Sequence, residues 1–450
     1  MCRIEDKDYL FFNFRDLFYF ALLLFLCCTI FIPRVLIGKV AVGLDDCFAA
    51  MILPFIMIYP FACSNSALIK GNRIIILFFW VMIILTGIIF GLFGSVMYLD
   101  KFKVPTETWQ YVKRMVFFYT SLFIAYKGII SSKKLYLTLL LVVFGALLIG
   151  ILQIIPSGLG EKLAEVYARS DRQLGGLIDN AFTSSRNYGV AGHSIAWGGF
   201  AMFSATLALA GLIPIKTSKT LLKWLLLFLA GFNVVFSGSR VAIVAFLIVY
   251  LCFVFIGLLV RKKKALFFLK YLLSLGVFIL VGIHFFWDKF FLLFFRFDVL
   301  IEKVGGGRID QVKSAMALLE GWYAYIFGVG NACQRAMAVS FGTEIEPVYL
   351  LVNYGILGVL LRYGLLVIIF VFAFRQISIA SFEDRILSIA AVLAIIGYAV
   401  FSLGYFFYQE LYVGVLPWIL YGWIVGRYYR YCRIKEKKYL KFQDEEVSYA

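Results

Sequence analysis

Charge is scarce in this chain: 15% of its residues are charged against 63% hydrophobic, and mean hydropathy is +0.93. That composition excludes a water-solvated globular surface, for which roughly a quarter of the residues would be charged. Histidine is scarcer still. The two present, His193 and His284, are too far apart for an HExxH helix, and no group of ligands has metal-binding spacing. A glycine-rich nucleotide loop is missing as well, so neither a metal nor a nucleotide cofactor is expected. Of the eight cysteines most lie in apolar runs, Cys2 and Cys432 flank the chain, and Cys333 stands in a long connection; no disulfide framework emerges. A cleavable leader is not expected, because the run 17–32 follows mixed charge and precedes Pro33-Arg34 instead of a small-residue cleavage site.

What the chain has in abundance is apolar length. Hydrocarbon offers no water to backbone groups, so spans must be helices or a closed barrel, and continuous apolar runs exclude a barrel's alternation. Such runs occupy 17–32, 47–63, 74–96, 115–128, 135–155, 195–213, 221–236, 241–260, 265–287, 348–374, 386–406 and 411–426. The expected fold is therefore all-α, a single integral membrane domain over 1–450 with about twelve transmembrane helices. Alternate connections carry the cations: Lys70 and Arg73, Lys133 and Lys134, Lys216 with Lys219 and Lys223, the basic run 261–264, and the tail 427–450. The positive-inside rule makes these cytoplasmic and puts both termini inside. The net charge of +17 is then an orientation signal that also meets anionic lipid, with no nucleic-acid partner expected.

Two connections on the opposite side are long, 156–194 and 288–347, and binding groups are expected there. The first external loop has an amphipathic segment, 159–169, the glycines Gly175 and Gly176, and the cations Arg169, Arg172 and Arg186. The second has an amphipathic segment led by Arg308, then Gly321-Trp322, the turn Phe327-Gly328-Val329-Gly330-Asn331, and the acids Glu344 and Glu346. Between them, the tight turn Ser237-Gly238-Ser239-Arg240 places a guanidinium at the outer mouth of the bundle. Arginines converging on one membrane face suit a phosphate or diphosphate, whose oxyanions the planar fork binds bidentately. The competing reading is that each snorkels to the interface or pairs with a carboxylate such as Asp171 or Asp179. Arg240 fits that reading least, since positive-inside bias disfavours a lone Arg there. Arg362, inside a span, is either a structural ion pair or a substrate contact. His193 is a helix cap or a sugar contact, and His284 an interfacial residue.

In three places the chain resembles the bacterial O-antigen polymerases, within the O-antigen polymerase and ligase superfamily of membrane glycosyltransferases. These are the turn 236–240, the stretch from Arg308 through Trp322 to the Phe327–Asn331 turn, and the segment from Glu346-Pro347-Val348-Tyr349 to Asn353-Tyr354-Gly355-Ile356-Leu357-Gly358. The ligases have a histidine nine positions before the glycine, where this chain has Glu346, which favours a polymerase. The resemblance implies a reaction at the outer leaflet of the bacterial plasma membrane. A growing glycan on undecaprenyl diphosphate passes to a lipid-linked repeat unit, without nucleotide sugar or metal, alongside a flippase and a chain-length regulator of the same pathway. The expected diphosphate-binding residues are Arg240 and Arg186, then Arg308 and Arg172, with Arg240 also catalytic through charge stabilisation. Glu346 is the expected proton acceptor. Tyr167, Trp322, Tyr323, Tyr349, Asn353 and His193 are candidate sugar contacts, although an interfacial aromatic belt also accounts for several of them. A ligase-like transferase and a lipid-linked oligosaccharide flippase are the alternatives. The flippase reading expects discontinuous helices and an internal repeat.

Overall fold

A computed structural model of the chain describes residues 14–33, 35–37, 40–62, 79–81, 83–84, 106–155, 157–168, 186–213, 220–260, 264–285, 287, 308–330, 345–405 and 414–448. These residues are helical throughout, apart from connections and one small hairpin. In chain order the elements are α1 (Phe14–Phe31), β1 (Val35–Ile37), β2 (Val40–Val42), α2 (Leu44–Ala62), α3 (Thr106–Lys127), α4 (Ser132–Leu152) and α5 (Gly158–Tyr167). There follow α6 (Ser194–Leu212), α7 (Thr220–Phe236), α8 (Arg240–Val260), α9 (Lys264–Phe285), α10 (Arg308–Met316), α11 (Gly321–Phe327), α12 (Glu346–Ile379), α13 (Phe382–Phe401) and α14 (Val415–Ser448). The hairpin pairs Val35 with Val42 and Ile37 with Val40, antiparallel.

The described residues of every apolar run marked in the sequence lie on a helix or at its end; most of 74–96 lies outside the described residues. Among the described residues, five helices are long and apolar enough to cross a membrane: Ser132–Leu152, Ser194–Leu212, Arg240–Leu259, Glu346–Ile379 and Phe382–Phe401. α6 is the axis of the bundle. It is buried along nearly its whole length, from Ala196 to Leu212, and packs against α4, α7, α8 and α13. A helix apolar on all sides has no solvent face to offer, so burial at the centre is its natural place. α14 lies along α3, closely enough that a Cβ at Gly422 or Gly426 would overlap the carbonyls of Phe118 or Leu122. Small residues permit such backbone approach where apolar surroundings give little other driving force.

Hydrogen bonds define two ends of the bundle. At one, Asp384 in the first turn of α13 accepts from Arg427 (Nη2 to Oδ2, 2.7 Å), Tyr431 (2.7 Å), Ser381 (2.9 Å) and Ser132. Burial pulls the Arg427 pKa down, but the hydrogen bonds and charge of Asp384 outweigh it and the guanidinium stays raised. At the other end lie the close of α4, the starts of α6, α8 and α12, and the close of α13. They are tied by Gly189 N to Gln153 Oε1 (2.8 Å), Asn187 N to Phe236 O (3.2 Å) and Glu346 N to Ser402 O (2.9 Å). The residues of both long loops that the structure describes gather at this second end.

Candidate functional site

The site is made by a break in α12. Gly355 has φ 66° and ψ −170°, a region that essentially only glycine occupies, and divides the helix into limbs 346–354 and 356–379. Residues 346 and 362 of an unbroken helix would be separated by about 24 Å at 1.5 Å per residue, well beyond side-chain reach. Across the break, Arg362 Nε lies 3.3 Å from Glu346 Oε1. The ion pair therefore depends on the change of direction at Gly355.

The break is held from outside by the turn after α11. Val329 N donates to Val352 O at 2.8 Å, a carbonyl that the interrupted helix leaves without its usual donor four residues on. The two backbones approach so closely that a Cβ at Gly355 would overlap the Ile326 carbonyl, and one at Gly328, φ 79°, would overlap Asn353. Around this contact Ala315, Leu319, Ala324 and Val352 form a small apolar core. Two of the segments singled out in the sequence, the turn as far as residue 330 and 346–358, thus form one interlocked unit. Irregular backbone of this kind survives at membrane depth only where protein covers it.

Glu346 is fully buried and Arg362 is 2% exposed. The second carboxylate oxygen accepts from the Tyr398 hydroxyl, which also accepts from Arg362 Nη2 at 3.1 Å. Arg362 lies 5.5 Å from the ring centroids of both Tyr398 and Trp418, and Tyr363 donates to Ser402 Oγ at 3.2 Å. A second buried guanidinium, Arg114 of α3, sits 4.7 Å over the Tyr111 ring, within electrostatic range of Arg362 and Glu346. Next to it in sequence, Lys113 pairs with Asp45 (2.5 Å) and Asp46 (2.9 Å) of α2. A carboxylate paired with one guanidinium, with a second guanidinium in electrostatic range, puts a proton acceptor and cationic groups in the same part of the bundle.

The Arg240 turn forms a second locus at the same end of the bundle. Asn187, next to Arg186, bonds Phe236 O through its backbone, and its side chain reaches Asn233 Oδ1 (2.8 Å) and Gly150 O (3.0 Å). Trp197 Nε1 donates to the same Asn233 oxygen at 3.0 Å. These bonds bring the end of the first long loop against the turn that leads α8, so exposed Arg186 and half-buried Arg240 border one region.

Other sequence candidates are dispersed. His193 occupies the N-cap position of α6 but makes no capping bond with its side chain; its ring stacks on Tyr405, centroids 5.2 Å apart. Cap geometry is met by position, while the imidazole is spent on the aromatic contact. Tyr167 donates to Phe31 O at 2.7 Å, fastening α5 to the end of α1. Trp322 is 72% exposed and Tyr323 41%, whereas Tyr349 and Asn353 are buried in the short limb of α12. Arg308 leads α10, which packs on α12. Arg172 and Glu344 lie outside the described residues. Sequence reasoning missed Tyr398, one tyrosine among 27 with no local mark, and Arg114, which an expected span beginning at 115 left in a connection.

The fold and site together define an α-helical protein suited to the membrane, with an ionic cluster buried behind a broken helix. Compared with known proteins, the chain matches no family model and no curated relative.

Proposed function

We propose that this chain is a metal-independent membrane glycosyltransferase that polymerises undecaprenyl-diphosphate-linked oligosaccharide repeats into a surface polysaccharide such as O-antigen. The observation that carries the reading is the interlock of the 327–330 turn with the Gly355 break, which buries Glu346 against Arg362 and Tyr398. Those are the segments through which the sequence resembles the polymerases. Polymerisation uses two lipid-linked substrates, each with a diphosphate, and the bundle has two arginine loci at one end, Arg114 with Arg362 and Arg186 with Arg240. The acceptor sugar's hydroxyl attacks the anomeric carbon of the donor's linking sugar. As the new C–O bond forms, the bond to undecaprenyl diphosphate breaks and its electron pair leaves with the phosphate oxygen. Tyr398 passes the hydroxyl's proton to Glu346, and the arginines meet the departing charge where water is excluded.

About twelve spans, cytoplasmic termini and a periplasmic site complete the proposal, on the strength of the Lys/Arg asymmetry. Single cysteines placed at 161, 172 and 310 in a cysteine-free background are expected to react with an impermeant thiol reagent in intact spheroplasts. Protection of all three until lysis would reverse the topology.

A broken helix is also what a lipid-linked oligosaccharide flippase would have, so that reading stays as the second. The surface-glycan ladder of a deletion strain separates the two. Loss of every band above one repeat is the polymerase result, and loss of all bands is the flippase or ligase result. Complementation with Arg240→Ala should leave chain growth almost absent at a normal protein level, and Arg240→Lys should restore part of it, because lysine keeps the charge without the fork. A full ladder from Arg240→Ala would remove Arg240 from the diphosphate site.

A further inference from the structure

The opposite end of the bundle holds a cavity of about 650 Å³ between the close of α3, the start of α4, the start of α13 and the polar part of α14. Its lining includes Lys133, Lys134, Arg427, Arg430 and the single carboxylate Glu383, with hydroxyls from Ser131, Ser132 and Ser381. Arg427 is already engaged by Asp384 through bonds of 2.9 and 2.7 Å. With Lys133, Lys134 and Arg430 beside it, basic side chains outnumber acidic ones in the lining of a concave site whose hydroxyls can donate to oxyanions. The backbone makes room for this: Gly128, at φ 67°, lets the Arg430 guanidinium occupy space that any Cβ would fill. The first turns of α4 and α13 both border the cavity, adding backbone N–H groups and the positive ends of two helix dipoles.

Aromatic residues lie beside basic groups at this end of the bundle. Lys134 lies 5.1 Å over the Tyr19 ring, Arg433 lies 5.6 Å over Tyr126 and donates to its hydroxyl at 3.1 Å, and Tyr428 and Tyr429 pack on Phe372. Tyrosines interleaved with Lys and Arg are the composition of a membrane–water interface, where phospholipid headgroups lie. We infer that this cavity binds the phosphate of an anionic phospholipid headgroup, with Lys133 and Arg430 as its principal cations. The site is separate from the Glu346 cluster and stands whether or not the chain is a polymerase.

The full-length protein in nanodiscs of phosphatidylcholine doped with phosphatidylglycerol provides the test, with bound lipid counted by native mass spectrometry after gentle release. Wild type is expected to retain phosphatidylglycerol over phosphatidylcholine. Lys133→Gln/Arg430→Gln should weaken that retention about thirtyfold, and Lys133→Gln alone about fivefold. Lys133 is exposed, so the single variant serves even if the double variant folds poorly. Equal retention by wild type and Lys133→Gln overturns the proposal. So does displacement of the lipid by inorganic phosphate alone, which would make the cavity a site for a free anion.

Discussion

Arg362→Ala is expected to destabilise the protein by about 3–5 kcal/mol, because it leaves the Glu346 carboxylate buried without its cation. The readout is the fraction of folded protein after heating in mild detergent, measured by size-exclusion chromatography. Replacing both charges, as Arg362→Leu/Glu346→Leu, removes the uncompensated ion and should recover most of the lost folded protein. Chain growth, in contrast, is expected to be absent in both variants. Glu346→Gln sharpens the distinction, since it keeps the volume and much of the hydrogen bonding but cannot take the proton. A full glycan ladder from Leu/Leu would reduce the ion pair to a packing device and leave the proposed chemistry without a centre.

Gly355→Ala should be nearly as damaging and by another route. The residue would occupy backbone space that costs about 1–3 kcal/mol for a non-glycine residue, and its Cβ would meet the Ile326 carbonyl. Relief requires the 327–330 turn to withdraw, which breaks the Val329–Val352 bond and loosens the limb bearing Glu346. The expected outcome is a ladder truncated to one repeat together with protease sensitivity between α11 and α12. Gly276→Ala is the control, because Gly276 is a glycine within α9 at which an added Cβ would meet nothing within 4 Å. Normal chain growth in Gly355→Ala would mean that the break is incidental to the site.

Much of this architecture is written in the apolar runs, since length and hydropathy are local properties that a helix in hydrocarbon must satisfy. The ends of α6, α7 and α8 lie within a residue or so of the expected runs for that reason. Glu346 was legible because Pro347 marks a first helical turn and an acid there meets the helix dipole. Its partner was not, because 348–374 reads as one apolar helix, and on such a helix Arg362 is far from Glu346. Only the positive φ at Gly355 folds the two together, and glycine in an apolar run carries no mark of its backbone angle. Arg114 was hidden similarly: α3 begins at Thr106, so a basic pair expected in a connection is carried into the helix and buried. Contacts made across the bundle, such as Tyr398 with Glu346, depend on tertiary packing that no local pattern records.

The proposed polymerase activity requires this chain alone to form glycosidic bonds between lipid-linked repeats. Its most direct test is the purified full-length protein in proteoliposomes, supplied only with the undecaprenyl-diphosphate-linked repeat unit of its own host. The products are resolved as a ladder and undecaprenyl diphosphate is quantified in parallel. The account predicts stepwise oligomers, one undecaprenyl diphosphate released per bond, unchanged by a metal chelator and absent with Glu346→Gln. Unelongated repeat units, with the wild-type protein folded and the substrate intact, would contradict it.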